Sequence, residues 1–327
     1  MQTPIAIIGC GLAGLTAART LVAAGQPVHI FDKGRASGGR LSSKHTDVGG
    51  IDMGGQYFTA RSPQFLATVM RWEEKGWVSP WSPRIYRAEN QQLIPSPDEQ
   101  TRWVGVSRMS ALTRHLLSDL PVTFSCRITE VIRGPKHWYL SDAEGMTHGP
   151  FSAVIVAVPA PQAASLLTPS PNLAAIAARV TMEPVWAVSL AFSTPLDTPV
   201  EAAFIKDETL DWATRSNSRP QREHPHDTWV LHASHAWTRA HIDRPADEII
   251  EKLSQHFSQL LGVELPEFTF SLAHRWLYAR PTRTRQRGLL ADEELGMYAC
   301  GDWCLSGTIE DAWTSGMRAA HQLLANR

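Results

Sequence analysis

Residues 4–33 read PIAIIGCGLAGLTAARTLVAAGQPVHIFDK, and this stretch decides the fold. Residues 5–8 are an apolar run without polar alternation, which is typical of a parallel strand covered on both faces. Residues 12–24 are rich in alanine and contain no proline, so they predict a helix. Residues 28–31 predict a second buried strand, which Asp32 closes. The stretch is therefore the β-α-β unit of a parallel sheet.

Three glycines between the first strand and the helix form the pattern G-x-G-x-x-G at Gly9, Gly11 and Gly14. The first permits a tight turn, the second lets the backbone approach a pyrophosphate, and the third lets the helix pack closely on the strand. Phosphate would meet free N–H groups at the positive end of the helix dipole. Asp32 can accept both hydroxyls of an adenosine ribose. The sequence thus predicts a dinucleotide site, with an ordinary glycine turn as the alternative.

The overall composition excludes several classes of protein. The chain has 327 residues, 43% hydrophobic and 19% charged, enough for a sizeable core and two domains. A net charge of −1 gives no global argument for binding nucleic acid or an anionic membrane. No apolar run approaches the ~20 residues of a membrane span. The first strand begins almost at the N-terminus, which favours a cytoplasmic protein without a signal peptide.

A second glycine-rich segment follows the second strand. Gly38 and Gly39 predict another close backbone approach, and Arg40 has a fork of donors suited to a phosphate or a flavin carbonyl. A flexible basic surface loop is the alternative. Further on, residues 52–58 (DMGGQYF) combine glycines with one amide and two aromatic rings. An amide among such neighbours, Gln56, should have a specific partner.

The C-terminal region contains a comparable arrangement. Residues 295–300 predict a strand, Gly301 and Asp302 follow it, and residues 309–324 predict a helix with one apolar face. Asp302 could hold a ribityl or sugar hydroxyl, and the helix start could stabilise negative charge on a reduced flavin. Two such arrangements at opposite ends of the chain are explained better by one extended FAD than by NAD.

The remaining segments predict a second, smaller domain of α+β type with a mainly antiparallel sheet. We expect an FAD-binding domain made of residues 1–60, 104–162 and 288–327, and a substrate domain made of residues 61–103 and 163–287. Further strands are predicted at residues 122–131, 138–140, 153–158, 185–192 and 228–233, with irregular strands and loops over 76–105. Further helices are predicted at residues 65–72, 109–118 and 246–261. Two arginine-rich segments, residues 217–225 and 280–287, are predicted to be solvated loops.

The glycine pattern with Asp32, the Gly38-Gly39-Arg40 segment and the late Gly301-Asp302 resemble the amine-oxidase-related group of FAD flavoproteins. Within that group the chain resembles the bacterial renalases, through DMGGQYFTAR, PSPDEQTRWVG and HRWLYARP, which begin at residues 52, 95 and 274. The resemblance implies a noncovalent FAD enzyme that oxidises 2- or 6-dihydro isomers of NAD(P). The products would be NAD(P)⁺ and, from O2, hydrogen peroxide.

The resemblance also implies which residues contact each ligand. FAD would contact Gly9, Gly11, Leu12, Ala13, Gly14, Asp32, Lys33, Gly39, Arg40, Gly55, Gln56, Tyr57, Ile128, Gly301, Asp302 and Ile309. The substrate would contact Tyr57, Phe58, Thr59, Ala60, Arg61, Ser96, Trp186, His232 and Trp276. No side chain is assigned as a catalytic acid or base, because flavin N5 accepts the hydride.

The predicted reaction needs little help from side chains. A dihydronicotinamide isomer expels hydride with its ring nitrogen lone pair and becomes an aromatic cation, so the ring needs to be positioned more than deprotonated. The chain has no second G-x-G-x-x-G, so a separate NAD(P)H domain is not predicted and O2 is the expected acceptor. The histidines show no spacing typical of metal ligands, so we predict no metal.

Other interpretations remain open at this point. One is an amine oxidase or desaturase, for which a lysine near flavin N5 would be usual. Another is a redox pair formed by Cys300 and Cys304, although buried thiols are favoured. A third is an FAD-binding sensor without enzymatic activity. The preference for NADH or NADPH isomers and the oligomeric state are also open.

Overall fold

The computed structural model describes residues 2–222, 225–282 and 286–327. Its strands are β1 (Ile5–Ile8), β2 (Val28–Phe31), β3 (Ser43–Thr46), β4 (Gly49–Asp52), β5 (Val78–Trp81), β6 (Ile85–Glu89), β7 (Gln92–Pro95), β8 (Arg102–Gly105), β9 (Val122–Thr123), β10 (Ile128–Arg133), β11 (Trp138–Asp142), β12 (Thr147–Phe151), β13 (Ala153–Val156), β14 (Met182–Phe192), β15 (Ala202–Phe204), β16 (Leu210–Arg215), β17 (Asp227–Ala233), β18 (Phe268–Pro281), β19 (Leu290–Asp292) and β20 (Met297–Ala299). Its helices are α1 (Leu12–Ala23), α2 (Pro63–Glu74), α3 (Met109–Leu117), α4 (Ala160–Leu166), α5 (Pro171–Ala178), α6 (His235–Ala240), α7 (Ala246–Leu261) and α8 (Ile309–Ala325).

A six-stranded sheet contains the predicted β-α-β unit. Its strand order is β19-β20-β13-β1-β2-β9, and every pair except β19–β20 is parallel. The apolar run of β1 is fully buried because both faces are covered. Ile5 and Ile7 join the core with α1, α3 and α8, while Ala6 and Ile8 join the core with β10–β12, α4 and α5. The predicted Rossmann-like architecture is therefore confirmed.

A seven-stranded sheet forms the second layer, in the order β18-β14-β17-β16-β15-β6-β7. All its pairs are antiparallel except β15–β6, as predicted for a mainly antiparallel sheet. One face carries Val188 and Leu231, which pack with α7 in one core. The other face carries Ala187 and Val230, which pack with Met53 in another. This second face is the one directed at the segment of residues 52–57.

The strands of each sheet fall in the segments assigned to one domain. All six strands of the parallel sheet come from residues 1–60, 104–162 and 288–327, and all seven of the other sheet come from residues 61–103 and 163–287. The division into an FAD-binding and a substrate domain itself remains a prediction.

Two predictions of secondary structure differ from the structure. Residues 122–131 form two strands of different sheets, because the chain turns at Ser125, whose φ is +53°. The turn is held by hydrogen bonds from the Ser125 and Cys126 N–H groups to the carbonyls of Gly34 and Asp32. Residues 76–105, predicted to form irregular strands and loops, contain four regular strands with loops between them.

Candidate cofactor and active site

The first glycine loop is packed so tightly that side chains are excluded at two of its three positions. A Cβ at Gly9 would lie 2.5 Å from the Ala157 carbonyl oxygen, and one at Gly14 would lie 2.0 Å from the Gly9 carbonyl oxygen. A Cβ at Gly11, in contrast, would meet no described atom within 4 Å. The glycines of the strand end and the helix therefore serve packing, and Gly11 borders open space.

A second loop faces this open space. The Gly38 N–H donates to the Cys10 carbonyl at 3.0 Å, which ties the two loops together. Gly39 has φ +53°, and a Cβ there would lie 3.7 Å from the Gly11 Cα. Helix α1 starts without a side-chain cap and without an acidic residue in its first turn. Backbone N–H groups, a helix N-terminus and an uncrowded gap between two glycines fit the pyrophosphate of FAD.

Asp32 lies at the carboxyl end of β2, beside the same loop. Its carboxylate accepts hydrogen bonds from the N–H groups of Cys10 and Gly34, each at 2.6 Å. These bonds fix the carboxylate where a ribose of the bound dinucleotide is expected. Burial, followed by the charge of Asp32, raises the pKa of the Cys10 thiol to about 12, so Cys10 stays protonated.

The two ends of the chain meet in an ion pair between Arg40 and Asp302. Arg40 Nη1 donates to Asp302 Oδ2 at 2.8 Å and to the Ala279 carbonyl at 3.0 Å, and Arg40 Nη2 donates to Asp302 Oδ1. Asp302 is buried, and the neighbouring Gly301 N–H donates to the Ser315 hydroxyl at 3.0 Å. The sequence predicted a cofactor contact for both charged residues but not their pairing.

Helix α8 begins beside this ion pair. Thr308 and Asp311 form a capping box, and Ile309 packs partly buried against the core. The Glu310 carboxylate accepts hydrogen bonds from the N–H groups of Arg61 and Ser62, each at 2.8 Å. The helix start is thus linked to the segment that leads into α2. Its proposed action on a reduced flavin stays a prediction.

The segment of residues 52–57 lies on the Arg40 loop. The Gly55 N–H donates to the Arg40 carbonyl at 2.9 Å, and a Cβ at Gly54 would lie 2.0 Å from that oxygen. Gln56 is buried and has the specific partners that were expected. Its Nε2 donates to the Gly54 carbonyl at 2.9 Å and to that of Asp52, while its Oε1 accepts from Arg219 Nη2 at 2.5 Å.

His232 and Trp276 approach the same segment from the seven-stranded sheet. His232 Nε2 and Trp276 Nε1 both donate to the Met53 carbonyl, at 3.1 and 3.0 Å. This acceptor requires the proton of neutral His232 to be on Nε2. Burial lowers the pKa of His232 to about 4, so near pH 7 the imidazole is neutral and cannot act as a general acid.

Tyr57 is part of an aromatic wall formed by Tyr57, Trp81 and Trp212. Its ring centroid lies 5.5 Å from that of Trp212 and 6.0 Å from that of Trp81. Trp81 Nε1 donates to the Ser218 carbonyl at 3.1 Å. Trp212 Nε1 is buried and has no hydrogen-bond partner among the described residues. Trp212 Nε1 is therefore a buried donor whose hydrogen-bonding capacity the described residues leave unused.

Arg102 packs against this wall and is itself buried. Its guanidinium lies 5.4 Å from the Tyr57 ring centroid and pairs with Asp98 through two hydrogen bonds of 2.8 Å. These bonds lower the pKa of the Asp98 carboxyl, while burial raises the pKa of Tyr57. Beyond Arg102 lies a cavity of about 480 Å³ between residues 82–86 and 95–102. Ser96 lies in the loop that borders it.

Two residues predicted to contact the substrate are buried in cores, and their contact with the substrate remains a prediction. The Phe58 ring is buried in the core against Phe65, at 5.9 Å between centroids, because it alternates with Tyr57 and faces away from the wall. Trp186 lies in the core on the α7 side of the seven-stranded sheet, and its Nε1 donates to the His241 carbonyl at 3.0 Å. It therefore faces away from Trp276 and the segment of residues 52–57.

The other predicted positions vary in exposure. Thr59 and Ala60 are half-buried, and Arg61 and Lys33 are exposed. Ile128 is buried in the core that contains Phe31, at the end of β2. These contacts with FAD and substrate remain predictions.

All four cysteines are free thiols, and two of them flank Gly301 and Asp302. Cys300 and Cys304 are buried free thiols, and burial raises the pKa of both, that of Cys300 to about 12. Cys126 lies 3.7 Å from both Asp142 Oδ2 and His148 Nε2, which are themselves hydrogen-bonded at 2.8 Å. Hydrogen bonding accounts for this cluster, although its three side chains are of types that bind metals.

Sequence reasoning missed two buried arginines. Arg219 and Arg222 fall in the loop of residues 217–225, which was predicted to be solvated, yet their side chains are each 1% exposed. Arg222 pairs with Asp52 at 2.7 Å, and Arg219 lies 5.2 Å from the Trp81 ring centroid. Charges can be buried here because Asp52 and Gln56 supply partners from a distant part of the chain. Residues 223 and 224 lie outside the described residues.

The loop predicted at residues 280–287 was also partly wrong. Arg280 and Pro281 continue β18, and the N–H groups of Arg287 and Gly288 donate to the Cys304 carbonyl. Residues 283–285 lie outside the described residues.

The parallel sheet, its two glycine loops and the Arg40–Asp302 junction define an FAD-dependent oxidoreductase, as comparison with known proteins also indicates. The chain belongs to the family of flavin containing amine oxidoreductases, whose model matches residues 88–324, and an NAD(P)-binding Rossmann-like domain model matches residues 7–72. FAD is accordingly its cofactor. None of the described helices combines the length and apolarity needed to cross a membrane.

The chain is also similar to individual proteins. Putrescine oxidase of Kocuria rosea is 39% identical over 69 residues, which are 21% of this chain and 14% of that protein. The match thus spans about a seventh of the curated relative. The structure of a putrescine oxidase bound to putrescine has TM-score 0.75 and 15% identity, with 99% of each chain covered. Reduced UDP-galactopyranose mutase has TM-score 0.78 and 14% identity, with 99% of this chain and 96% of the other covered. These structural similarities concern the fold alone.

Proposed function

We propose that the protein is an FAD-dependent oxidase of 2- or 6-dihydro isomers of NAD(P), of the renalase type. The substrate would lose a hydride, that is two electrons and one proton, and become aromatic NAD(P)⁺. Bound FAD, held noncovalently, would supply the hydride acceptor at N5 and pass both electrons to O2, which takes up the hydride's proton and one from solvent to form hydrogen peroxide. Two observations support this function. One is the resemblance of the segments that begin at residues 52, 95 and 274 to the renalases, and the other is the set of residues that form the aromatic wall.

The observation that carries the proposal is the unpaired indole donor in a wall of rings. Trp212 Nε1 has no partner among the described residues, and it lies beside Tyr57 on the sheet face that carries His232. Aromatic faces would stack a dihydronicotinamide ring, and the indole N–H would hold its carboxamide oxygen. The aromatic faces and the indole N–H would thus orient the ring. Because His232 is neutral, it supplies no strong base there, and the proposed reaction needs none.

Charge favours an anionic substrate over a protonated amine. Asp52, at the start of the segment of residues 52–57, and Asp98, beside the cavity, are both paired with arginine. A diamine cation would need unpaired carboxylates, whereas the pyrophosphate of a dinucleotide is complementary to surplus arginine. All six lysines of the chain are exposed: Lys33, Lys44, Lys75, Lys136, Lys206 and Lys252. None can serve as the buried lysine expected near flavin N5 in amine oxidases.

Amine oxidation is the second candidate, because the family and the local match to putrescine oxidase favour it. Both candidates are tested by mixing the FAD-loaded protein under nitrogen with either 6-dihydro-NAD or putrescine and following the flavin absorbance. We expect rapid bleaching by 6-dihydro-NAD, formation of NAD⁺ and, after air is admitted, one hydrogen peroxide per NAD⁺. Bleaching by putrescine alone would establish the second candidate. Bleaching by neither would overturn both.

A pair of variants tests the indole donor. Trp212→Phe keeps the ring and removes the N–H, so we expect KM for 6-dihydro-NAD to rise about tenfold, as for the loss of one hydrogen bond of about 1.4 kcal/mol. Trp81→Phe is the matched control, because its indole N–H is already bound to Ser218. Equal KM values for both variants would remove Trp212 from the substrate site.

A further inference from the structure

Side chains of the seven-stranded sheet and of the loop after β16 hold the segment of residues 52–57 in place. We call this group the sheet clamp, and it consists of Arg219, Arg222, His232 and Trp276. Arg222 binds Asp52, His232 and Trp276 bind the Met53 carbonyl, and Arg219 binds Gln56. The clamp thus contacts the segment at Asp52, Met53 and Gln56.

The Arg219 contact fixes the orientation of the Gln56 amide. Arginine has only donors, so the Gln56 atom that it approaches must be the oxygen Oε1. The Nε2 group then points at the Asp52 and Gly54 carbonyls, which are acceptors only. Every polar atom of the amide has a partner of the right kind, and the opposite flip state would satisfy none of these hydrogen bonds.

The segment in turn packs on the junction where the cofactor loops meet. Gly54 and Gly55 rest on the Arg40 carbonyl, and a Cβ at Gly55 would lie 2.8 Å from Leu41 and 3.4 Å from Ile309. Arg40 itself is paired with Asp302. A shift of Gln56 would therefore be transmitted to the Arg40 loop and the start of α8, because no free space separates them.

Burying Arg219 is costly, and the cost points to a role beyond filling space. Burial lowers the pKa of Arg219 to about 10, and that of Arg222 is lowered for the same reason. Asp52 lies 2.7 Å from Arg222 and 4.0 Å from Arg219, so one carboxylate serves two guanidinium groups. An apolar residue of similar volume would pack there without a desolvation penalty.

We infer that Arg219 is a positioning residue of the cofactor site, acting through Gln56 on the residues 52–57 that border the Arg40–Asp302 junction. It needs no contact with FAD for this role. Its guanidinium fixes the amide, the amide fixes the backbone of Asp52 and Gly54, and that backbone fixes the surface on which the cofactor lies. The inference rests on FAD binding and not on the identity of the substrate.

Arg219→Met tests the inference, and Arg215→Met is its matched control. Arg215 is half-buried and pairs with Asp227 on the same sheet at 3.0 Å, and its hydrogen bonds to other described residues do not include the segment. We expect both variants to lower the melting temperature of the apoprotein. Only Arg219→Met should raise the Kd for FAD at least tenfold and shift the flavin absorption bands, and Arg219→Lys should recover part of the affinity.

Equal FAD affinity and equal spectra for wild type and Arg219→Met would overturn the inference, and so would equal losses in both variants. If Arg219→Met does not fold, Arg219→Lys keeps the positive charge and loses the guanidinium that holds Gln56. That variant must then bind FAD more weakly than the wild type, and wild-type affinity would overturn the inference as well. These readouts need no substrate, so they are unaffected if the proposed oxidase activity proves wrong.

Discussion

The two glycine loops and the segment of residues 52–57 both border the cofactor site, yet they are built in opposite ways. In the loops, backbone meets backbone, as where Gly14 touches the Gly9 carbonyl. In the segment, side chains from a distant sheet and loop hold the backbone, as where Arg219 holds Gln56. Where backbone packs on backbone, the site tolerates no added atom. Where the sheet clamp holds the backbone, the site depends on particular functional groups of the side chains.

Among the variants that test this contrast, Gly14→Ala should have the largest effect on stability and FAD affinity. The new Cβ would lie 2.0 Å from the Gly9 carbonyl oxygen, so α1 must move away from β1. We expect loss of soluble protein, or an apoprotein whose melting temperature is at least 10 °C lower, with FAD affinity reduced more than 100-fold. Thermal unfolding and FAD titration measure both quantities. Wild-type stability would show that this packing is not needed.

Gly11→Ala separates packing from cofactor contact. Its Cβ meets no described atom within 4 Å, and the φ of −84° suits alanine. The apoprotein should therefore keep its melting temperature, while the Kd for FAD rises at least tenfold because the methyl group enters the path of the phosphates. An unchanged Kd would place the pyrophosphate elsewhere.

The Arg40–Asp302 pair should show an intermediate effect. Arg40→Met leaves the buried Asp302 carboxylate without its partner, which should cost about 2 kcal/mol of unfolding free energy. Asp302→Leu should cost a similar amount. The double variant should recover much of the loss, because neither charge is then buried alone. Urea unfolding of the apoproteins measures this coupling, and strictly additive losses would contradict it.

The smallest expected effect is on the pH dependence of folding stability. In the unfolded chain His232 takes up a proton at the ordinary pKa of 6.5, whereas in the folded protein it stays neutral down to about pH 4. Between these values the unfolded chain binds the additional proton, so stability falls as the pH drops from 6.5 to 4. His232→Asn should flatten this part of the stability curve.

Trp276→Phe serves as the control for the pH experiment. It removes the other donor to the Met53 carbonyl without removing a titrating group, so the slope should stay as in the wild type. Identical slopes for wild type and His232→Asn, measured by urea unfolding at several pH values, would show that His232 does not contribute.

The first glycine loop and its flanking strand and helix were predictable because the residues that determine them lie close together in the sequence. The run of residues 5–8, the glycine spacing and Asp32 specify strand, turn and helix locally, and the structure reproduces them. The contact of Gly316 in α8 with Ala13, where a Cβ would lie 2.1 Å from the Ala13 carbonyl, joins distant residues. Only the apolar face of α8 could be predicted, since spacing does not reveal which helix is its partner.

The surroundings of residues 52–57 were less predictable because strand register determines which side chains reach this segment. Trp186 and Trp276 look alike in sequence, but β14 and β18 shift register between Glu183 and Val185, so alternation cannot tell which face each ring occupies. Arg219 likewise resembles any loop arginine until Gln56, 163 positions away, becomes its partner. Gln56 was recognised because a buried amide must be satisfied, and that requirement is local.

The pairing of Arg40 with Asp302 has a consequence for how the protein is made. The partners are separated by 262 positions, and α8, which packs on α1, follows Asp302 along the chain. A nascent chain therefore carries an incomplete nucleotide cleft until α8 has been synthesised. Flavin loading should follow the synthesis of α8, and truncations that remove α8 should yield colourless protein.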